Sequence, residues 1–433
     1  ARTGRGDGMA VDHRLHWIWL QSALGAGCPQ TGALLRRFAT AFEVYQADPR
    51  ELAACGLSAA QIKRLENRDL HPAAQCLYET LRIGGWVLTP EDARFPSQLR
   101  GIYAMPLVLY GRGWMPDMEV IPSVTIVGTR RCSPYGLRMA TELAAGLAAG
   151  GLCVVSGGAV GVDGAALRAA LAQGGTTICL QGCGLDINYP AENEDMRRAV
   201  AQTGAVLTEF PLGMPARRQN FPIRNRLLSG LTQGTCVVEA PAGSGALITA
   251  RYALEQGRDV FAVPGAAYMP SMAGCNELIR DGAHLVSCAA DVMEEYRPRF
   301  ENRLDFEAAA AAERAAGGIK PSLLRVADSR QANEPPKSRS GSQPKRAGRP
   351  VRRAVSEKPA PPENPAPAPT AVCPDYVSET ARQIYAVLTA EPQLLDDISA
   401  RLSLPTNRVL AALTELEIAG CAAGDAGGRY HLK

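Results

Sequence analysis

The chain has 433 residues, room for roughly three domains at about 150 residues each. Hydrophobic residues make up 46% and charged residues 21%, enough for folded cores, while the net charge of +3 is too small to mark a polyanion partner by itself. No stretch reaches the roughly 20 apolar residues of a membrane span, and 12 cysteines without a C-x-x-C pair fit a reduced cytoplasm better than a zinc site.

"HWIWLQSAL" near the start is short and amphipathic and lacks the long apolar core of a signal peptide. It follows Met9, read as the natural start after "ARTGRGDG". Residues 9–85 read as a domain of short helices, with helical apolar spacing in "LLRRF", "AFEVYQA" and "LAACGLSAAQIKRLEN". "GAGCPQTGALLRRF" has a Gly-rich turn feeding a helix, as in SAM-like or helix-hairpin-helix modules; packing and direct DNA binding are both open for it.

Over residues 86–300 the pattern changes. Apolar runs of strand length, "SVTIVG", "LCVVSGG", "TTICLQG", "AVLTEF", "TCVVEA" and "DVFAVPG", alternate with helical stretches such as "LRMATELAAGLAAG" and "ALITARYALEQG". Strict alternation predicts βαβ units and a doubly wound, Rossmann-like α/β domain with a mostly parallel sheet. Runs apolar on both faces fit strands covered on both sides by helices. Residues 305–372 are rich in Ala, Pro, Ser, Lys and Arg and are expected to be a disordered linker, either a solvated tether or a non-specific nucleic-acid arm. Residues 373–433 read as three helices, "SETARQIYAVL", "LLDDISARL" and "PTNRVLAALTELEIAG", and a terminal hairpin, the order of a winged helix. Asn407 and Arg408 fall near the start of its recognition helix, and DNA and protein are both open as its partner.

In an open parallel sheet, ligands sit at the carboxyl ends of the strands. Those ends carry "GTRRCSPYG" (Gly128, Arg130, Arg131, Ser133), "SGGAVGVD" (Ser156, Gly157, Gly161, Asp163), "GCGLDINYP", "FPLGMPARRQNFPIRNR" (Arg217, Arg218, Phe221, Arg224, Asn225, Arg226) and "EAPAGSGALITA" (Ser244, Thr249). Glycines admit close approach of backbone N–H groups to an oxyanion, and the helices starting at "GVDGAAL" and "GSGALITA" aim their positive ends at the same rim. The arginines add fork-shaped donors suited to phosphate. The set points to phosphate binding, though each glycine alone can serve only a tight turn.

The chemistry missing from the sequence matters equally. There is no G-x-x-x-x-G-K-[ST] loop, so a P-loop NTPase is not supported, and no G-x-G-x-x-G follows the first strand, which leaves a dinucleotide cofactor with weak support at best. His284 is a lone histidine beside an apolar run, read as structural. Asp163 and Glu239 are either catalytic or ordinary helix caps. No nucleophile with a base stands out, no catalytic residue is assigned, and the rim reads as binding without chemistry.

These motifs, with "TEFPLGMPARRQNFPIRNRLLSGL", "VVEAPAGSGALITARYALEQGRDVFAVPG" and "GCNELIRDGAHLV", together resemble the DNA-processing protein A (DprA, also called Smf) family over roughly residues 90–290. The helical and winged flanks are similar to that family's as well. The resemblance implies a non-enzymatic recombination mediator of natural transformation. Such a protein binds and protects incoming single-stranded DNA, loads RecA, forms homodimers through the Rossmann-like domain and needs no cofactor. It carries the family's phosphate pocket to Gly128, Arg130, Ser133, Ser156, Gly157, Gly161, Phe221, Arg224, Asn225 and Arg226, and more weakly to Ser244 and Thr249. Two positions depart from the family pattern: Val160 stands at a basic position, for which Arg131 or Arg218 could compensate, and Leu167 where histidine is common.

In this reading Arg224 and Arg226 grip backbone phosphates and Phe221 either stacks on a base or is buried. The two arginines lie about 200° apart on a helix, so one narrow face cannot hold both. Two other readings remain. A phosphoribohydrolase-type nucleotide enzyme would carry a "PGGxGTxxE"-like signature, where this chain has "PAGSGALITA" followed by Arg251 and Tyr252. A scaffold would recruit proteins through the linker and winged helix.

Overall fold

The structure is a computed structural model that describes residues 12–317 and 378–432, except 403, 419, 420 and 425–428. The eight residues before Met9 and residues 318–372 of the expected linker lie outside the described residues. The chain divides into two units, separated between Lys337 and Ser338.

The first unit opens with six short helices: α1 (His13–Leu24), α2 (Thr31–Arg37), α3 (Ala41–Gln46), α4 (Pro49–Ala54), α5 (Ala59–Glu66) and α6 (His71–Arg82). Local chemistry sets their starts. Asp48 and Ser58 each form a reciprocal capping box, with Glu51 and Gln61 respectively, and Pro49 occupies the first turn of α4. Trp17, Leu20, Leu34, Val44, Leu52 and Leu65 bury themselves between these helices.

A nine-stranded sheet follows, built from β1 (Trp86–Leu88), β2 (Leu109–Gly113), β3 (Ser123–Val127), β4 (Cys153–Ser156), β5 (Thr177–Leu180), β6 (Gly204–Thr208), β7 (Gly234–Val237), β8 (Asp259–Ala262) and β9 (His284–Leu285). Their order across the sheet is β1-β2-β6-β5-β4-β3-β7-β8-β9. From β6 to β9 all pairings are parallel; β1 and β2 add an antiparallel edge. The six parallel strands expected from the apolar runs are present. Strands β3 to β5 are buried along their length, as strands covered on both faces must be.

The covering helices are α7 (Pro134–Ala149), α8 (Val162–Ala172), α9 (Glu194–Thr203), α10 (Asn220–Leu231), α11 (Gly245–Glu255), α12 (Ala273–Arg280) and α13 (Ala289–Phe300). The chain winds outward from β3 through β4, β5 and β6, then returns to the other side of β3 with β7. The winding therefore reverses between β3 and β7, and a crevice opens where their outgoing loops part.

One helix falls inside the segment expected to be linker. Helix α14 (Phe306–Gly317) packs on α7 and α13, with Ala309, Ala312 and Ala316 buried. Its alanine-rich composition resembles low complexity, yet small side chains at this spacing allow close approach to an equally small-residue face of α7.

The second unit holds α15 (Glu379–Val387), α16 (Leu395–Leu402) and α17 (Thr406–Ile418), with strands β10 (Gln393–Leu394), β11 (Ala422–Gly424) and β12 (Arg429–Leu432) in the order β10-β12-β11. Ile384, Ile398, Val409, Leu413 and Leu416 form its core. This is a winged helix, with Asn407 and Arg408 in the first turn of α17. Among the described residues no helix is long and apolar enough to cross a membrane.

Candidate functional site

A cleft of about 890 Å³ lies where the winding reverses, walled by the loops after β3 and β7 and by the start of α10. Three neighbouring loops are pinned together. Thr129 donates its amide to the Glu239 carbonyl at 2.7 Å, joining the ends of β3 and β7. The Val162 amide donates to the Thr129 carbonyl at 3.3 Å. Gly161 sits at φ +84°, and a methyl group there would come within 2.5 Å of the Thr129 carbonyl. Only glycine combines that conformation with that approach.

Two helices start on the cleft. Phe221 and Pro222 from the first turn of α10, and Ser244 to Ala246 from the start of α11, line it. The positive dipole ends of these helices favour an anion there. Ser244 caps α11, accepting from the Ala246 amide at 3.3 Å.

The arginines divide into three kinds. Arg130, Arg131 and Arg218 line the cleft and are exposed. Among the described residues no carboxylate lies within ion-pair distance of any of them, so their charge faces solvent. Arg217 beside them is exposed but not part of the lining.

Arg224 also lines the cleft but is buried. One of its terminal nitrogens donates to the carbonyls of Gly157, at 2.8 Å, and Leu180, and its Nε donates to Asn225 Oδ1 at 3.2 Å. The guanidinium is thereby fixed with its other terminal nitrogen uncommitted. Burial lowers its pKa, opposed by nearby Asp163; burial raises the Asp163 carboxyl in turn, opposed by Arg224. Asn225 ties the same turn to α11 by donating to the Gly245 carbonyl at 3.3 Å.

Arg226 points elsewhere. It is buried and donates to both carboxylate oxygens of Glu209, at 2.6 and 2.7 Å. Glu209 also accepts from the Gly27 amide at 3.2 Å, and its carbonyl accepts from the Gln21 side chain at 2.7 Å. Arg226 therefore joins α10 to the helical N-terminal region, and the angular separation of the two arginines accounts for their different destinations.

The other expected residues fall on and behind the wall. Gly128, Phe221, Asn225, Ser244 and Thr249 line the cleft; Ser133, Ser156, Gly157 and Gly161 do not. Ser133 caps α7 and donates its amide and hydroxyl to Glu239 at 2.9 Å, so the buried Glu239 carboxylate anchors a helix start. Ser156 donates to the Ile126 carbonyl at 2.7 Å, bracing β4 against β3. Gly157 supplies the carbonyl that holds Arg224. Val160 is half-buried and outside the lining, and Leu167 is buried in the apolar cluster under the N-terminal helices.

Residue-type reasoning missed Tyr189, which reaches the cleft from the loop after β5. Its signal was present in "GCGLDINYP", since that loop leaves a carboxyl strand end. It also missed Glu209, whose partnership with Arg226 no local spacing reveals.

Fold and cleft together define a doubly wound α/β protein with a basic, anion-receptive crevice at its switch point, followed by a winged helix. Residues 86–297 match the family described as DNA recombination-mediator protein A, and residues 357–428 match the DprA winged helix domain. The chain is 32% identical to Protein Smf of Synechocystis sp., over 98% of this chain and 100% of that protein. It is 40% identical to the DNA processing protein DprA of Streptococcus pneumoniae, over 47% of this chain and 72% of that one. The X-ray structure of DNA processing protein A from Streptococcus pneumoniae superposes with a TM-score of 0.58 at 33% identity, covering 65% of this chain and 97% of that one. The chain belongs to the DprA/Smf family of DNA-processing proteins.

Proposed function

We propose that the chain binds single-stranded DNA in the switch-point cleft, protects it and passes it to RecA during transformation, acting as a homodimer and without catalysing a reaction. The observation that carries this reading is the arrangement of Arg130, Arg131 and Arg218 around the fixed guanidinium of Arg224, at a rim where α10 and α11 begin. Exposed arginines without carboxylate partners suit a flexible chain of phosphates, and phosphate contacts carry no sequence information. The cleft's buried carboxylate, Asp163, lies in the field of Arg224 and accepts from the Ala159 amide at 3.5 Å.

Competition binding tests the first step: a labelled single strand should be displaced by unlabelled single strand far better than by duplex of the same sequence. The mediator step is tested by RecA-catalysed strand exchange on DNA coated with a single-strand-binding protein, where addition of the chain should shorten the lag. Equal competition by duplex, or turnover of nucleoside monophosphates into base and ribose phosphate, would overturn the reading.

A further inference from the structure

Two aromatic rings meet at the mouth of the cleft. The Phe221 and Tyr189 centroids are 5.7 Å apart, with the ring planes inclined at 41°. They come from different strand ends, Tyr189 from the loop after β5 and Phe221 from the first turn of α10, so tertiary structure alone pairs them.

Their environments differ. Phe221 packs on the backbone of Gly182, where a methyl group would come within 2.9 Å of the ring. The Arg130 guanidinium lies 5.2 Å from its centroid and that of Arg224 6.0 Å. Phe221 is half-buried, packed against the backbone, two cations and a second ring. Tyr189 keeps 38% of its surface exposed while lining the same cleft, and its backbone is held by its amide donating to the Ile187 carbonyl at 3.0 Å. A flat apolar face, fixed by its neighbours and open to solvent beside exposed arginines, is the arrangement on which unpaired bases stack.

We infer that Tyr189 is the ring on which a nucleobase of the bound strand stacks, and that Phe221 is a positioning residue that holds Tyr189 and Arg130. This rests on the single-stranded DNA reading of the cleft. The arginines beside it take the flanking phosphates, so Tyr189 contributes to affinity for bases and Arg130 to affinity for the backbone.

The test uses the full chain with two oligonucleotides of equal length, one of deoxythymidine and one abasic throughout. Tyr189→Ala should weaken deoxythymidine binding roughly 5- to 150-fold, the range that loss of one base–aromatic stack produces. It should leave abasic binding and the salt dependence of both unchanged. Tyr189→Trp should restore deoxythymidine binding. Phe221→Leu should weaken both oligonucleotides, because Arg130 loses the ring it lies against. Photocrosslinking of wild type with 5-iododeoxyuridine DNA gives a readout that needs no variant, and should label the peptide carrying Tyr189. Equal losses on both oligonucleotides in Tyr189→Ala, no loss on either, or labelling confined to the Phe221 peptide would overturn the assignment of Tyr189 while leaving the cleft as the DNA site. Wild type that binds neither oligonucleotide would instead remove the single-stranded DNA reading, and Tyr189's role with it.

Discussion

Arg224 and Arg226 are two residues apart and have opposite tasks. Arg224 has one terminal nitrogen uncommitted, whereas Arg226 gives one terminal nitrogen to both carboxylate oxygens of buried Glu209. Removing one partner of a buried ion pair leaves a charge stranded, which costs about 3–5 kcal/mol. Arg226→Met should therefore lower the urea midpoint of the first unit strongly, and the double change Arg226→Met with Glu209→Leu should recover much of that loss. A second prediction concerns Asp195, which Arg168 contacts at 2.8 Å and holds down to about 2. A depressed carboxylate stabilises above its ordinary pKa of about 3.8 and loses that contribution as pH falls through about 2. Measured as urea midpoint against pH, Asp195→Asn should flatten the wild-type decline across that window; the effect is modest because Asp195 is largely exposed. At this scale the sequence located the basic rim but not the destinations of its side chains. That Arg226 meets Glu209 and Tyr189 meets Phe221 depends on strands brought together by the sheet, which no spacing along the chain encodes.

Elements were legible in proportion to their length and pattern. The six parallel strands announced themselves as β-branched runs bounded by glycine. Strands β1, β2 and β9 did not: β9 is two residues long, β1 three, and β2 reads "LYGRG", broken by glycine. Their identity comes from pairing with a neighbour. Helix α14 was hidden in a segment that looks like linker, because its burial uses alanines rather than an apolar stripe. Its seat is tight. A methyl group at Gly146 of α7 would come within 2.5 Å of Glu313 and 2.7 Å of Ala289, and Glu313 accepts from the Ala289 amide at 2.6 Å. Gly146→Val should push α13 and α14 outward and cost about 1–3 kcal/mol, the usual penalty of overpacking, read by urea denaturation. Limited proteolysis should then cut within residues 301–317 sooner than in wild type.

Across the whole molecule, the arginine-lined cleft and the winged helix lie in different units. Helix α17 has one cation, Arg408, against Glu415 and Glu417, and Glu415 accepts from the Ser378 amide and hydroxyl at 2.7 and 2.6 Å. The basic rim belongs to the first unit alone. A chain ending at residue 317 should therefore keep its affinity for single-stranded DNA within about two-fold of the full chain, while a larger loss would give the linker or winged helix part of the binding.

On the proposed function, exposed arginines of the switch-point cleft hold the phosphates of single-stranded DNA. The most direct measurement is fluorescence anisotropy of a labelled single strand over a salt series, comparing wild type with Arg130→Glu and Arg218→Glu after each variant is shown to be folded. Wild type should show a steep fall of log affinity with log salt, and each lost phosphate contact should reduce that slope by about 0.7. Wild-type affinity and slope in both variants would contradict the account and move the DNA away from the cleft.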